Sequence, residues 1–159
     1  MNNKELIEKF YTAFQQLDYV SMQECYSPKT LFNDPVFGLL QKGDPQIMWE
    51  MLCKRAKNFT LTFNNIEIID EEFATCNWTA NYLFAATGKK VINPIKAYIR
   101  IQDGFIIEHT DHFNFYNWSK QALGIKGLLF GWTHFFAKKI RKQALLGLEK
   151  YKAQRNKNN

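Results

Sequence analysis

The chain has 159 residues, of which 46% are hydrophobic and 16% aromatic, with 14 Phe. That length suits one domain with a substantial core, and that apolar content excludes a disordered chain. The net charge of +6 is unevenly placed: residues 120–159 carry +9 and the rest sum to −3, so the basic character lies in the tail and is no mark of a nucleic-acid-binding core.

The first residues, MNNKELIEKF, form an amphipathic pattern without a signal-peptide core, and no apolar run is long enough to span a bilayer. Cys25, Cys53 and Cys76 match neither a disulfide framework nor metal-ligand spacing. They read as reduced thiols, and a cytoplasmic location is expected. No metal and no cofactor are expected: Asp34, His109 and Asp111 could imitate a metal triad but have no short ligand spacing, and the chain has neither a phosphate loop nor a Ser or Cys nucleophile motif.

In chain order, Glu5 to Leu17 reads as a helix, with Leu6, Phe10, Ala13, Phe14 and Leu17 in one apolar stripe. Asp18 N-caps a short second helix, Tyr19 to Tyr26, which Pro28 stops. Thr30 to Asn33 reads as a short strand running into Asp34-Pro35, where the proline holds the aspartate extended. Asp44 and Pro45 open a third helix as N-cap and N1. From Phe59 the period changes to two. Four strands are expected, Phe59–Ile69, Phe73–Ala86, Asn93–Gln102 and Phe105–Tyr116, with turns at Glu71-Glu72, Gly88-Lys89-Lys90 and Asp103-Gly104. Short links between long strands imply an antiparallel meander. Helices followed by a sheet give an α+β layout, with the sheet curled around the helices to bury its inner face. Trp118 to Leu123 adds a helical turn, Leu128 to Lys152 a long basic helix, and Gln154 to Asn159 is expected to fray. The expected division is a domain over 1–123 and a C-terminal helix and tail over 124–159.

Phe32, Asp34 and Pro35 after the second helix, together with the closing Asp103, Gly104, Ile106, Glu108 and His109, resemble the nuclear transport factor 2-like superfamily. The nearest branch is similar to the SnoaL-like polyketide cyclases and ketosteroid isomerases. The resemblance covers about residues 4–118. It implies a cone-shaped antiparallel sheet around N-terminal helices, a mostly apolar pocket and a homodimer. It does not fix a reaction, because the fold hosts enzymes and binding modules alike.

Asp34, Asp111 and His109 are the candidate catalytic groups, Asp34 as the base and Asp111 with His109 as the proton relay. Asp34 sits among Phe32, Val36 and Phe37, where desolvation would raise its pKa towards that of a general base; the resemblance implies the same role. The competing reading is an aspartate that caps the turn before Gly38. Asp111 alternates with Phe105, Ile107, His109, Phe113 and Phe115 on one strand face. An acid and a histidine there call for a wet pocket, or for a His109–Asp111 pair satisfied within the sheet or at a dimer face. Phe14, Phe32 and Phe113 are the expected apolar lining. Lys96, Tyr98 and Arg100 either point inward, as the resemblance implies, and bind a carbonyl or anion, or point to solvent and leave Ile95, Ala97, Ile99 and Ile101 inside.

The family's constellations are incomplete. Phe10 stands where the isomerases carry an oxyanion-hole tyrosine, with Tyr11 one residue off on another helical face, and Lys96 stands where they carry a second acid. Two functions follow. One is a cofactor-independent isomerase or cyclase-like enzyme using Asp34 as base on a small hydrophobic carbonyl compound. The other is a non-catalytic small-ligand-binding or interaction module of the same fold. For the C-terminal helix, the favoured reading has it closing the mouth of the cone or packing on a dimer mate. Contact with an anionic membrane surface is the alternative.

Overall fold

A computed structural model describes residues 1–157. The elements are α1 (Asn3–Gln15), α2 (Tyr19–Glu24), β1 (Tyr26–Asp34), β2 (Gly38–Leu40), α3 (Asp44–Arg55), β3 (Thr60–Ile68), β4 (Phe73–Leu83), β5 (Lys90–Gln102), β6 (Phe105–His112), α4 (Phe115–Leu123), α5 (Ile125–Phe130) and α6 (His134–Lys157). One six-stranded sheet has the order β2-β1-β6-β5-β4-β3. The three N-terminal helices pack on its inner face. This is the α+β architecture with a curled sheet that the residue pattern implies.

α1 begins in a capping box: Asn2 accepts from the Glu5 N–H, and Glu5 accepts from the Asn2 N–H, each at 2.9 Å. Its buried face is wider than the stripe, because Ile7 and Tyr11 are fully buried beside Leu6, Phe10, Ala13 and Phe14. α3 starts one position off the expected cap. Gly43, with a left-handed φ of 86°, is the N-cap, and Asp44 already lies within the first turn.

Strands β3 to β6 form the antiparallel meander, tightly joined at Asp103-Gly104, where both residues have positive φ (52° and 78°). Two features depart from the sequence pattern. β1 is longer than Thr30–Asn33, and it pairs with β6 in parallel, Phe32 opposite His109 and Asn33 opposite Thr110. β6 also carries an irregularity opposite Arg100 and Ile101. It turns Ile106 inward with His109, Asp111 and Phe113, while Phe105 is 45% exposed. Strict alternation, which placed Phe105 and Ile107 with His109, fails for that reason.

The expected single helix from Leu128 to Lys152 is broken. α5 ends at Phe130, and Thr133 starts α6 by accepting the Phe136 N–H through its hydroxyl. α6 continues to Lys157 rather than fraying from Gln154; Asn158 and Asn159 lie outside the described residues. Its Leu148 is buried, and Ile140, Ala144, Leu145 and Tyr151 pack against the core. Glu50, buried on α3, fixes it in place by accepting from Tyr151 Oη at 2.9 Å and pairing with Arg155 at 3.2 Å and Lys54 at 2.8 Å. Farther up, the Arg141 guanidinium donates to the Pro35 carbonyl at 3.3 Å. α6 thus lies across α3 and the β1–β2 turn. Within the described residues, no helix is long and apolar enough to cross a membrane.

Candidate functional site

The inner face of β6 meets α1, β1, α3 and β4 around His109, which is fully buried. Tyr26 Oη lies 2.7 Å from its Nδ1 and accepts from the Trp49 indole N–H at 2.9 Å. Asp111 Oδ1 lies 3.1 Å from His109 Nε2 and accepts from the Trp78 indole N–H at 3.0 Å. One proton arrangement satisfies Tyr26, His109 and Asp111 together. Tyr26 O–H donates to Nδ1, and a neutral imidazole donates its Nε2–H to Asp111. Tyr11 Oη adds a longer contact to Nε2 at 3.4 Å. Burial and the nearby Asp111 charge push the phenols of Tyr11 and Tyr26 well above their ordinary pKa, so both remain neutral.

Around this chain the aromatic rings are close packed. Phe10 stacks on Tyr26 at 5.2 Å and meets Trp49 at 5.8 Å and His109 at 5.5 Å edge-on. Phe32 meets Trp49 and His109 at 5.3 and 5.4 Å, and Phe14 meets Trp49 at 5.0 Å. Phe14, Phe32 and Phe113 are all buried on the inner side. The rings expected to line a pocket are therefore part of the packed core.

Asp34 lies at the end of β1, at the start of the β1–β2 turn. It follows Asn33, the residue paired with Thr110, and so stands beside Asp111 on the same inner face. Its Oδ1 accepts the backbone N–H of Val36 at 2.9 Å and of Phe37 at 2.5 Å. The Asp34-Pro35 step is thus a side-chain-capped turn, as one of the two readings held. The cap does not hold the acid ionised. Burial raises its pKa to about 7, the turn N–H groups oppose this, and the Asp111 charge adds to the rise.

Half-buried Tyr82, Phe84 and Phe115 gather around the Trp118 indole. Tyr82 is a group that the candidates read from the sequence did not include. Its oxygen accepts from the Trp118 indole N–H at 3.0 Å, which leaves its own proton to donate elsewhere. Burial raises its pKa, with a contribution from the Asp34 charge, which places the phenol in that carboxylate's field. Its alternation with Trp78 along β4 was the one available signal.

Other candidates lie elsewhere. Lys96, Tyr98 and Arg100 face outward along β5, while Ile95, Ala97, Ile99 and Ile101 are buried. The inward placement implied by resemblance gives way to plain alternation. Arg100 pairs with Glu72 at 2.8 Å and Glu108 at 3.0 Å, and Lys96 lies 5.7 Å from the Tyr98 ring centre. Tyr11, expected on a different helical face from the site, is fully buried and reaches His109. A surface hollow of about 340 Å³, lined by Asn93, Pro94, Asn114, Asn117, Lys120 and Gln121, includes none of the candidate residues. No group of three His, Cys, Asp or Glu side chains among the described residues is arranged to hold a metal ion.

A curled sheet closed by N-terminal helices, with acids on its inner face, defines the class of nuclear transport factor 2-like folds. Within it, the profile of the SnoaL-like domain matches residues 7–109, and the chain belongs to that family. No protein among the curated ones matches it. Similar solved structures include a candidate polyketide cyclase from a Silicibacter species, with 19% identity, 74% of this chain and 93% of that one covered, and a TM-score of 0.66. Another is a protein with a ketosteroid isomerase-like fold from Catenulispora acidiphila, in complex with trimethylamine, at 10% identity, 77% and 94% coverage and a TM-score of 0.65. A candidate polyketide cyclase from Pseudomonas putida gives 20% identity, 77% and 98% coverage and a TM-score of 0.61. At these identities the likeness concerns the fold. The family match ends at His109, before α4 to α6.

Proposed function

We propose that this protein acts on a small hydrophobic carbonyl compound at the inner face of the sheet beside Asp34, with Asp34 as a general base. The observation that supports this reading is the Asp34 carboxylate itself. It lies on the inner face, one oxygen fixes the turn, and its pKa is raised to about 7. A base is most useful when its pKa lies near the working pH. In this reading, the second oxygen takes a proton from the carbon next to the carbonyl and returns it at another position. Tyr82, whose proton is not used by Trp118, donates to the oxygen on which charge develops. Asp111 raises the basicity of Asp34, and His109 with Trp78 holds Asp111 in place as positioning groups. The lineage is consistent, since similar structures carry the names of candidate polyketide cyclases.

The competing reading is a binding module without catalysis. It is favoured by the satisfied His109–Asp111 pair, which leaves Tyr82 as the main proton donor near Asp34. Exchange of the α-protons of a hydrophobic ketone such as β-tetralone, followed by NMR in deuterated buffer, separates the two. Enzyme-dependent exchange that rises with pH through about 7 and disappears in Asp34→Asn supports catalysis. Binding of the ketone with no enzyme-dependent exchange supports the module.

A further inference from the structure

The corner between α5 and α6 presents six large apolar side chains to solvent: Ile125, Leu128, Leu129, Phe130, Trp132 and Phe135, at 52–79% exposure. The favoured expectation for this segment was burial against the cone or a mate. Within the chain, that holds for the later turns of α6 and not for this corner. The cause lies in its glycines. Gly127 and Gly131 form the face turned to α4, so close that an added Cβ would collide with the Ser119 carbonyl and hydroxyl. With glycine on the packed side, the bulky residues are left on the other.

We infer that this corner is a peripheral anchor for an anionic lipid surface. Three observations support lipid. First, exposed Lys126, Lys138, Lys139 and Lys142 flank the apolar residues, and from His112 to Leu148 the chain has six basic residues and no carboxylate. Such a segment attracts anionic headgroups, while a two-fold contact between copies would bring like charges together. Second, the aromatic Trp132 and Phe135 stand out at 73% and 79% exposure, residue types suited to the interfacial layer. Third, the carbonyls at the end of α5 already have donors. Gly127 O accepts from Gly131 N at 2.8 Å, Leu128 O from Tyr116 Oη at 3.1 Å, Leu129 O from the Trp132 indole at 3.0 Å, and Phe130 O from Thr133 N at 2.9 Å. A helix end that enters an apolar layer must satisfy its carbonyls internally, whereas one docking on protein can leave them for the partner.

Co-sedimentation of the full chain with vesicles of phosphatidylcholine alone, and of phosphatidylcholine with phosphatidylserine, tests the anchor. The expected result is binding to the anionic vesicles that weakens with salt. Because Trp49, Trp78 and Trp118 are buried, a blue shift in emission on binding reports Trp132. Trp132→Ser with Phe135→Ser, and separately Lys138→Glu with Lys139→Glu, each lower partitioning about tenfold or more. All four positions are exposed, so folding is retained and circular dichroism checks it. No binding to either vesicle overturns the inference, and so does binding indifferent to both variants. A dimer that Trp132→Ser with Phe135→Ser converts to monomer, without vesicle binding, also overturns it and assigns the face to a second copy. The inference does not depend on Asp34, so its failure leaves the proposed pocket chemistry untouched.

Discussion

Two carboxylates lie close to the C-terminal helix and behave in opposite ways. Glu50 on α3 is 3% exposed. Burial pushes its pKa up, but the bonds from Lys54 and Tyr151 and the charge of Arg155 outweigh this and hold it below the ordinary range. At Asp34 in the β1–β2 turn burial prevails, and its pKa is raised to about 7. The difference is the company each keeps. Glu50 has two cations and a phenol, whereas Asp34 has two backbone N–H groups and the like charge of Asp111. The nearby cation, Arg141, donates to the Pro35 carbonyl. Burial pushes both acids up and the partners decide whether it prevails, so the acid left without cations is the one able to titrate near neutrality.

Removing a well-partnered acid should have the largest effect on stability. Glu50→Leu leaves Arg155 and Lys54 to solvent and undocks the end of α6, at a cost of about 2–4 kcal/mol, with a lowered Tm in thermal unfolding. The corresponding change at the poorly partnered acid should have the opposite sign. An Asp whose folded pKa exceeds its unfolded value favours folding fully below about 4, and loses that contribution as pH rises through about 7. Asp34→Asn is accordingly expected to raise stability at pH 8 by about 1–2 kcal/mol and to give no such gain at acid pH, as urea unfolding at the two pH values will show. Glu50 has the reverse profile, since its contribution is present at neutral pH and lost as pH falls below the ordinary carboxylate range.

A finer test concerns the coupling between the two inner-face acids. In Asp111→Asn the amide oxygen can still accept from His109 and Trp78, but the charge is gone. The Asp34 carboxyl resonance should then titrate at lower pH than in the unaltered protein. An unchanged midpoint would mean that desolvation alone sets it. The smallest effect is expected on the outer face. Arg100→Ala breaks exposed pairs to Glu72 and Glu108 and should change stability by less than about 1 kcal/mol.

Much of this was legible in the residues. The period-two stretches, the Asp103-Gly104 turn and the stripe of α1 all describe local chemistry, and the meander follows from them. Alternation on β5 also placed Ile95 to Ile101 correctly, against the inward Lys96, Tyr98 and Arg100 that resemblance implied. What was hidden depends on distant partners. The shift in β6 that turns Ile106 inward arises from its pairing with β5. The bonds that settle His109 come from Tyr26 and Asp111, with Tyr26 itself fixed by Trp49 on α3. Asp34 could be read as an acid in apolar company, while the field of Asp111 that helps raise its pKa required the β1–β6 pairing.

That pairing also sets an order of events for the newborn chain. β1 is the third element to emerge, yet apart from the short β2 its neighbour in the sheet is β6, the last strand. The Thr30 hydroxyl and the Cys25 carbonyl bond Ile106 at the same seam. The local hairpins from β3 to β6 can close first, because their loops are short, while the seam must wait for a long loop to close. Asp34 and Asp111 lie on opposite sides of it. The candidate site therefore does not exist in a partly folded chain, and its acids come together only as the sheet is completed.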